Sequence, residues 1–197
     1  MLELMRSLHK RTQSLEEQVF SMFDHFDRED LKDHTAAVVT AAKEIATRFD
    51  LNHDKLVTMA YFHDLGRLIP LDRMVIFCES RGYDVSSEEA RVPGMLHQKA
   101  SAAIARDVFD YRDKQSLEGI MIHTTLKAGA SLYAKALFVA DKLTWDETEH
   151  EFIREMRSAA NESLEAAIRI YLDDVHKNRH EMAIYHPWTH QAYIDYC

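Results

Sequence analysis

The chain has 197 residues, 46% of them hydrophobic, and a formal net charge of -9. This is enough apolar material for the core of one domain, and the composition excludes a disordered or fibrous protein. The negative charge opposes binding to a nucleic acid polymer, and no cluster of Lys and Arg offsets it, whereas a small anionic substrate held by metal ions remains compatible. We expect a single domain over residues 1–197.

The cysteines and the N-terminus indicate the compartment. Cys78 and Cys197 do not make a disulfide framework, and the chain begins without the basic start and apolar stretch of a signal peptide. No apolar run reaches the length of a membrane span. We expect a cytoplasmic protein with reduced thiols and no membrane association.

The composition also indicates the fold class. Helix-favouring residues are plentiful, whereas there are only five Gly and three Pro, so the sequence predicts an all-α fold. Residues 4–26 predict one N-terminal helix for packing or oligomerisation, which is compatible with a homodimer. Apolar periodicity predicts further helices over residues 30–49, 51–62, 72–81, 97–108, 115–122, 131–141 and 152–175. Residues 80–94 predict a long loop.

Several polar residues adjoin apolar helical stretches. His34 shares a helix face with apolar residues, and His63-Asp64 ends the apolar run before it. A second pair, His53-Asp54, follows a capping Asn and is explained by solvent exposure. Asp141 follows five apolar residues, and because burying an unpaired charge costs several kcal/mol, it is expected to face a cation. A hydrogen-bonded core histidine at position 34 and a salt bridge at Asp141 are the alternatives.

Two further histidines stand at helix ends. His97 opens a helix after a Pro-Gly pair, and His123 follows the helix over 115–122, although solvation alone would explain a histidine in a first turn. Together, four imidazoles and two carboxylates on successive helices make a site suited to iron, manganese or zinc. The members of this set are His34, His63, Asp64, His97, His123 and Asp141.

This order of ligands resembles the HD-domain metal phosphohydrolases, and within them the YqeK family of symmetrical diadenosine tetraphosphate hydrolases. The resemblance is carried by His34-Thr35, His63-Asp64 with Arg67, Leu96-His97, His123-Thr124-Thr125, Phe138-Val139-Ala140-Asp141 and Ile184-Tyr185-His186-Pro187 with Thr189. It implies an HD-domain helical bundle over residues 30–197, with residues 1–26 as an added N-terminal packing helix.

The resemblance also implies the site. One or two iron ions would be held by His34, His63, Asp64 and Asp141, and manganese or zinc are alternatives. His97 and His123 would complete a second metal position or contact phosphate. His63 and Asp64 are the expected catalytic centre. The expected substrate contacts are His97, His123, Thr124, Arg67, Lys99, Lys127, His186 and Thr189.

Two arginines of the family pattern are absent. Leu31 stands three residues before the first His, and Glu147 lies in the run where the family has acidic-Pro-x-Arg. We expect hydrolysis of diadenosine tetraphosphate to two ADP, and we expect Arg at both positions to lower the KM. The alternatives are an HD phosphohydrolase of another phosphorylated metabolite or mononucleotide, and a non-catalytic nucleotide-sensing domain.

Overall fold

The computed structural model describes residues 1–9, 12–148 and 150–197, which contain helices and no strand. The predicted all-α fold is confirmed. The α-helices of the described residues are α1 Leu2–Leu8, α2 Leu15–His25, α3 Glu29–Arg48, α4 His53–Phe62, α5 Leu71–Glu79, α6 Ser87–Arg91, α7 His97–Val108, α8 Lys114–Met121, α9 Leu132–Lys142, α10 Phe152–Ala159, α11 Leu164–Lys177 and α12 Pro187–Tyr196. Short 3-10 turns cover Leu65–Leu68 and Pro93–Leu96. Within these ranges, no helix combines the length and the apolar character that crossing a membrane requires.

Helix α4 is the central element and contacts α2, α3, α7, α8 and α9. The Asn52 side chain accepts from the Lys55 backbone N–H and fixes where the helix begins. Its second half is buried, including Met59 and Phe62. Because this apolar half leads into the bundle, the residues that follow it, His63 and Asp64, are delivered to the interior.

The turn after α4 packs directly on α7. The Gly66 N–H donates to Ser101 Oγ at 2.8 Å. A Cβ placed on Gly66 would lie 2.1 Å from the backbone oxygen of His97 and 2.7 Å from the Ser101 nitrogen. Only glycine allows this approach, which brings the segment of Asp64 against the helix that begins at His97.

Two predicted helices are interrupted. The pattern over 4–26 forms α1 and α2, and Ser14 makes a capping box with Glu17 at the start of α2; residues 10–11 lie outside the described ranges. The pattern over 152–175 forms α10 and α11, because Ser163 caps a new start by accepting from the Ala166 backbone N–H. In both cases a serine N-cap competes with continuation of the apolar stripe.

The segment predicted as a long loop is partly helical. It contains α6, begun by a capping box between Ser86 and Glu89, and the 3-10 turn that starts at Pro93. The C-terminal tail forms α12 with Pro187 in its first turn.

Candidate active site

The six predicted ligand side chains lie together in the interior of the bundle. They come from the N-terminal part of α3 (His34), the end of α4 (His63, Asp64), the start of α7 (His97), the residue beyond the cap of α8 (His123) and the end of α9 (Asp141). By contrast, His53 and Asp54 are exposed.

The first group of donor atoms surrounds His34. Its Nε2 lies 3.1 Å from His63 Nε2 and 3.1 Å from Asp141 Oδ1. Asp64 turns Oδ2 toward the same group, at 3.6 Å from His34 Nε2 and 3.7 Å from His63 Nε2. Two ligands about 2.1 Å from one ion at tetrahedral or right angles would be separated by roughly 3.0–3.4 Å. The group therefore has close to the spacing of ligands around a single ion.

The second group surrounds the other oxygen of Asp64. Asp64 Oδ1 lies 3.3 Å from His97 Nε2 and 3.5 Å from His123 Nε2, and the two imidazole nitrogens are 3.2 Å apart. Oδ1 is buried and has no hydrogen-bond partner among the described residues. One carboxylate thus presents each of its oxygens to a different pair of imidazoles.

The backbone fixes which nitrogen of each imidazole faces the cluster. In three cases Nδ1 lies against the carbonyl oxygen three residues earlier, at 2.7 Å for His63, 2.6 Å for His97 and 2.8 Å for His123. A carbonyl oxygen has two lone pairs, so it can accept such a bond in addition to one from a backbone N–H. Each Nδ1 therefore carries the proton, and the lone pair of Nε2 points into the cluster.

Thr144 orients the fourth imidazole. Its hydroxyl donates to the backbone oxygen of Asp141 at 2.7 Å. Because its one proton is used there, the Thr144 oxygen accepts from His34 Nδ1, which lies 3.4 Å away. Sequence analysis did not predict this role for Thr144. All four histidines thus direct Nε2 inward.

This arrangement fits a cation. Two imidazole lone pairs that face each other, Nε2 to Nε2 at 3.1 Å as in His34 and His63, repel unless a positive charge lies between them. The same holds for His97 and His123 at 3.2 Å. With an unsatisfied buried carboxylate oxygen beside them, the donor set is that of a metal site with nitrogen and oxygen ligands.

Burial sets the charges of these groups. Burial lowers the pKa of His63 to about 4 and that of His97 to about 3, so both are neutral near pH 7, as metal ligation requires. Burial acts against ionisation of Asp64, but the imidazoles around it and the guanidinium of Arg67 outweigh burial and hold the pKa of Asp64 well below its usual range. Burial would lower the pKa of His34, but its bond to Asp141 raises it.

Two cations accompany the carboxylates. Arg67 Nε donates to Asp64 Oδ2 at 2.7 Å, and Lys142 Nζ donates to Asp141 Oδ2 at 2.6 Å. Lys142 is 1% exposed and its ammonium lies 4.9 Å from the ring centroid of Trp145. The salt bridge considered as an alternative for Asp141 is therefore present together with the imidazole cluster, and it leaves Oδ1 for that cluster.

A cleft of about 270 Å³, called the ligand cleft below, opens onto the predicted ligand side chains. Its lining residues are Arg28, Asp30, Leu31, His34, Asp64, Arg67, Thr124, Asp141, Lys142 and Trp145. The sequence predicted Arg67 and Thr124 beside substrate and missed Arg28, Lys142 and Trp145. A larger cavity of about 510 Å³, between α3 and the end of α10, is lined by none of the six predicted ligands, so donor chemistry and not volume identifies the site.

Two predicted substrate contacts lie in a separate buried cluster. Lys99 Nζ donates to Glu89 Oε2 at 2.8 Å and to the backbone oxygen of Asp84 at 2.8 Å. His186 Nε2 lies 3.3 Å from Glu89 Oε1. These side chains join α12 to α6 and α7 and do not line the ligand cleft.

Two others are also occupied elsewhere. Thr189 Oγ1 donates to the backbone oxygen of Thr125 at 3.0 Å, which fixes α12 to the segment after His123. Lys127 pairs with Glu118 on α8. Neither residue lines the ligand cleft.

The two positions that depart from the family pattern have different locations. Leu31 is 4% exposed and lines the ligand cleft. Glu147 pairs with Arg154 and Arg157 and lines another cavity together with Thr148. Glu147 therefore lies outside the cleft that Leu31 lines.

Comparison with known proteins identifies the family. The HD domain family matches residues 31–146. An uncharacterized protein encoded in the pepC 5' region of Lactococcus lactis subsp. cremoris is 32% identical over 134 residues, which are 68% of each chain. A protein of Bacillus subtilis named symmetrical bis(5'-nucleosyl)-tetraphosphatase is 27% identical over 139 residues, covering 68% of this chain and 72% of that one.

A solved structure shares the fold. The crystal structure of a predicted HD superfamily hydrolase from Clostridium acetobutylicum, described as involved in NAD metabolism, superposes with a TM-score of 0.83 at 24% identity. The match covers 90% of this chain and 94% of the other. The matched family region begins three residues before His34 and ends after Asp141, so it spans all six clustered side chains. The chain belongs to the HD domain family.

Proposed function

We propose that this HD-domain hydrolase is a metal-dependent phosphohydrolase that cleaves diadenosine tetraphosphate symmetrically into two ADP. The observation that carries the proposal is the convergence of four Nε2 atoms and two carboxylates, with Asp64 facing both pairs of imidazoles. The names of the Bacillus subtilis relative and of a second, from Halalkalibacterium halodurans and 26% identical, support the substrate class.

His34, His63, Asp64 and Asp141 would hold one metal ion, and His97, His123 and Asp64 a second; iron is the proposed metal, with manganese or zinc as alternatives. Bound ions of this kind lower the pKa of coordinated water and neutralise phosphate oxygens. The Nε2 atoms of His97 and His123 lie 3.2 Å apart and face the same point. We therefore propose both residues as metal ligands and not as separate phosphate contacts.

The chain itself supplies charge and orientation. Arg67, which is bonded to Asp64 and is 46% exposed at its side chain, presents its remaining N–H donors to the cleft. The Thr124 hydroxyl lies 3.1 Å from His97 Nε2, which supports its proposed role as a contact for the reacting phosphate. In the overall reaction one water is consumed: its oxygen bonds to one of the two central phosphorus atoms, and the other ADP leaves from that phosphorus.

Product analysis tests the proposal. Purified protein from iron-rich medium is incubated with diadenosine tetraphosphate, and ADP as the sole nucleotide product is expected. Unequal products, or turnover only of a mononucleotide or another phosphorylated metabolite, would replace the proposal with the second hypothesis. No turnover of any phosphorylated compound would favour a nucleotide-sensing domain.

The two His-Asp pairs provide matched variants. Asp64→Asn removes a carboxylate that faces all four imidazoles, and the rate should fall by about two orders of magnitude or more. Asp54→Asn changes the same residue type in the exposed pair and should leave the rate within about twofold. Equal loss in both variants would contradict the location of the site.

A further inference from the structure

Arg28 lies between two clefts. It lines the ligand cleft and a second cleft of about 310 Å³, and Arg67 lines both as well. The other residues that line the second cleft are Ile69, Pro70, Leu71, Met74, Gly94 and His97. The two guanidinium groups therefore lie on the ridge between the ligand cluster and this second cleft, whose lining includes the apolar side chains of Ile69, Leu71 and Met74.

The guanidinium of Arg28 is held in place and keeps free donors. Its Nε and Nη2 donate to the carboxylate of Asp30 at 2.8 and 2.7 Å, and its Nη1 donates to the backbone oxygen of Arg67 at 3.0 Å. A guanidinium carries five N–H groups, so these bonds leave two without a partner among the described residues. The side chain is 33% exposed, so a ligand can reach them.

Helix geometry explains how Arg28 can replace an arginine at position 31. Residues three apart lie on the same side of a helix, so Arg28, at the N-cap of α3, is next to Leu31, and both line the ligand cleft. The bond to the Arg67 backbone draws the side chain over the ridge. Planar, pre-oriented guanidinium groups bind phosphate oxygens strongly because their donors match that geometry.

We infer that Arg28 and Arg67 form an anion subsite for the part of a polyphosphate chain that extends beyond the reacting phosphorus toward the second cleft. Arg28 is the specificity-determining residue of this subsite and supplies the charge that Leu31 lacks. The inference rests on the proposed function, because it assumes a substrate with several phosphates.

Kinetic comparison of Arg28→Gln with the native enzyme is the first test. The KM for diadenosine tetraphosphate should rise about tenfold or more with kcat within about threefold, since a charge-assisted contact made equally by substrate and transition state is lost. The KM for p-nitrophenyl phosphate, which has no chain beyond the reacting phosphorus, should change by less than about twofold.

Two further variants separate charge from structure. Arg28→Gln leaves the Asp30 carboxylate unpaired in the cleft, so Arg28→Gln with Asp30→Asn should show the same increase in KM without that new negative charge. Arg154→Gln is the matched control, because Arg154 is an exposed arginine paired with Glu147 in another cavity. It should leave both KM values unchanged, and circular dichroism checks the fold of every variant.

Binding without turnover makes the outcomes distinct. Titration of the purified protein with β,γ-methylene ATP, a non-hydrolysable triphosphate, should give a Kd about tenfold higher for Arg28→Gln than for native protein. If diadenosine tetraphosphate is cleaved but Kd and KM of Arg28→Gln stay within twofold of native, the subsite is refuted and the function stands. If diadenosine tetraphosphate is not cleaved but Kd rises as expected, the function fails and the anion subsite stands.

Discussion

Gly66→Ala should disable the site through the backbone alone. The new Cβ would lie 2.1 Å from the His97 backbone oxygen and 2.7 Å from the Ser101 nitrogen, where ordinary contacts begin at 3.4 Å. Both neighbours are backbone atoms of α7, so no side chain can rotate away. The turn that follows Asp64 must therefore separate from α7 by about 1 Å.

The consequence can be estimated from the cluster. Asp64, on the turn, and His97, on α7, lie on opposite sides of this clash, and Asp64 Oδ1 is 3.3 Å from His97 Nε2. Distances between a metal ion and its ligands vary by only about 0.2 Å. A displacement of about 1 Å should cost roughly 100-fold in kcat/KM. Overpacking should also destabilise the protein by about 3 kcal/mol, which lowers the Tm by about 6–12 °C for a chain of this size.

The assay combines thermal unfolding, metal content and kcat/KM. Gly94→Ala is the control, because Gly94 also adjoins His97 and bonds its Nδ1, yet a Cβ there would meet only Leu71 Cδ2 at 3.9 Å. We expect the free energy of unfolding of Gly94→Ala to be within about 1 kcal/mol of the native value. If Gly66→Ala kept its metal and its rate while the Tm fell, the contact would hold the fold without positioning Asp64.

Two other predictions concern metal retention and pH. Elemental analysis should find less iron in His34→Ala than in native protein, and His176→Ala, whose imidazole stacks on Tyr193 at 3.8 Å, should retain it; equal retention would count against the cluster. Burial would raise the pKa of Glu89, but bonds from His186 and Lys99 lower it from 4.5 to about 2. Since that folded pKa is depressed, Glu89 contributes up to about 3 kcal/mol above pH 4.5, which is lost as pH falls toward 2. The free energies of unfolding of Glu89→Gln and native protein, measured with urea, should therefore converge as the pH falls over this range. A difference that stays constant with pH would refute the assignment.

The sequence predicted most of the fold because apolar periodicity and capping agree along much of the chain. The helix predicted over residues 30–49 is α3 (Glu29–Arg48), and the one predicted over 131–141 is α9 (Leu132–Lys142), which Ser131 caps by accepting from the Ala134 N–H. The misses occur where a polar cap interrupts an apolar stripe, as Ser163 does between α10 and α11. There the hydrophobic pattern alone favours a continuous helix, and a single side-chain hydrogen bond decides otherwise.

The side chains that cluster were predictable from the sequence and most of those that line the cleft were not, for a physical reason. A buried imidazole or carboxylate leaves a signal in the sequence, because it interrupts an apolar pattern, as Asp141 does. A surface cation leaves none. Lys99 lies two residues after His97 but on a different side of α7, where Glu89 neutralises it, whereas Arg28 reaches the cleft from six residues before His34.

The positions of Leu31 and Glu147 show the same limit and lead to a revised expectation. Glu147→Arg would exchange ion pairs with Arg154 and Arg157 for repulsion among three cations, outside the ligand cleft. It should cost at most about 1 kcal/mol of stability, since exposed pairs contribute little, and leave KM unchanged. Leu31→Arg would replace a buried apolar side chain by a second cation against Arg28, so we expect a lower Tm and no fall in KM. Thermal unfolding and KM for diadenosine tetraphosphate measured on each single variant check both. A lower KM for Glu147→Arg would mean that the substrate reaches beyond the cleft that contains the ligands.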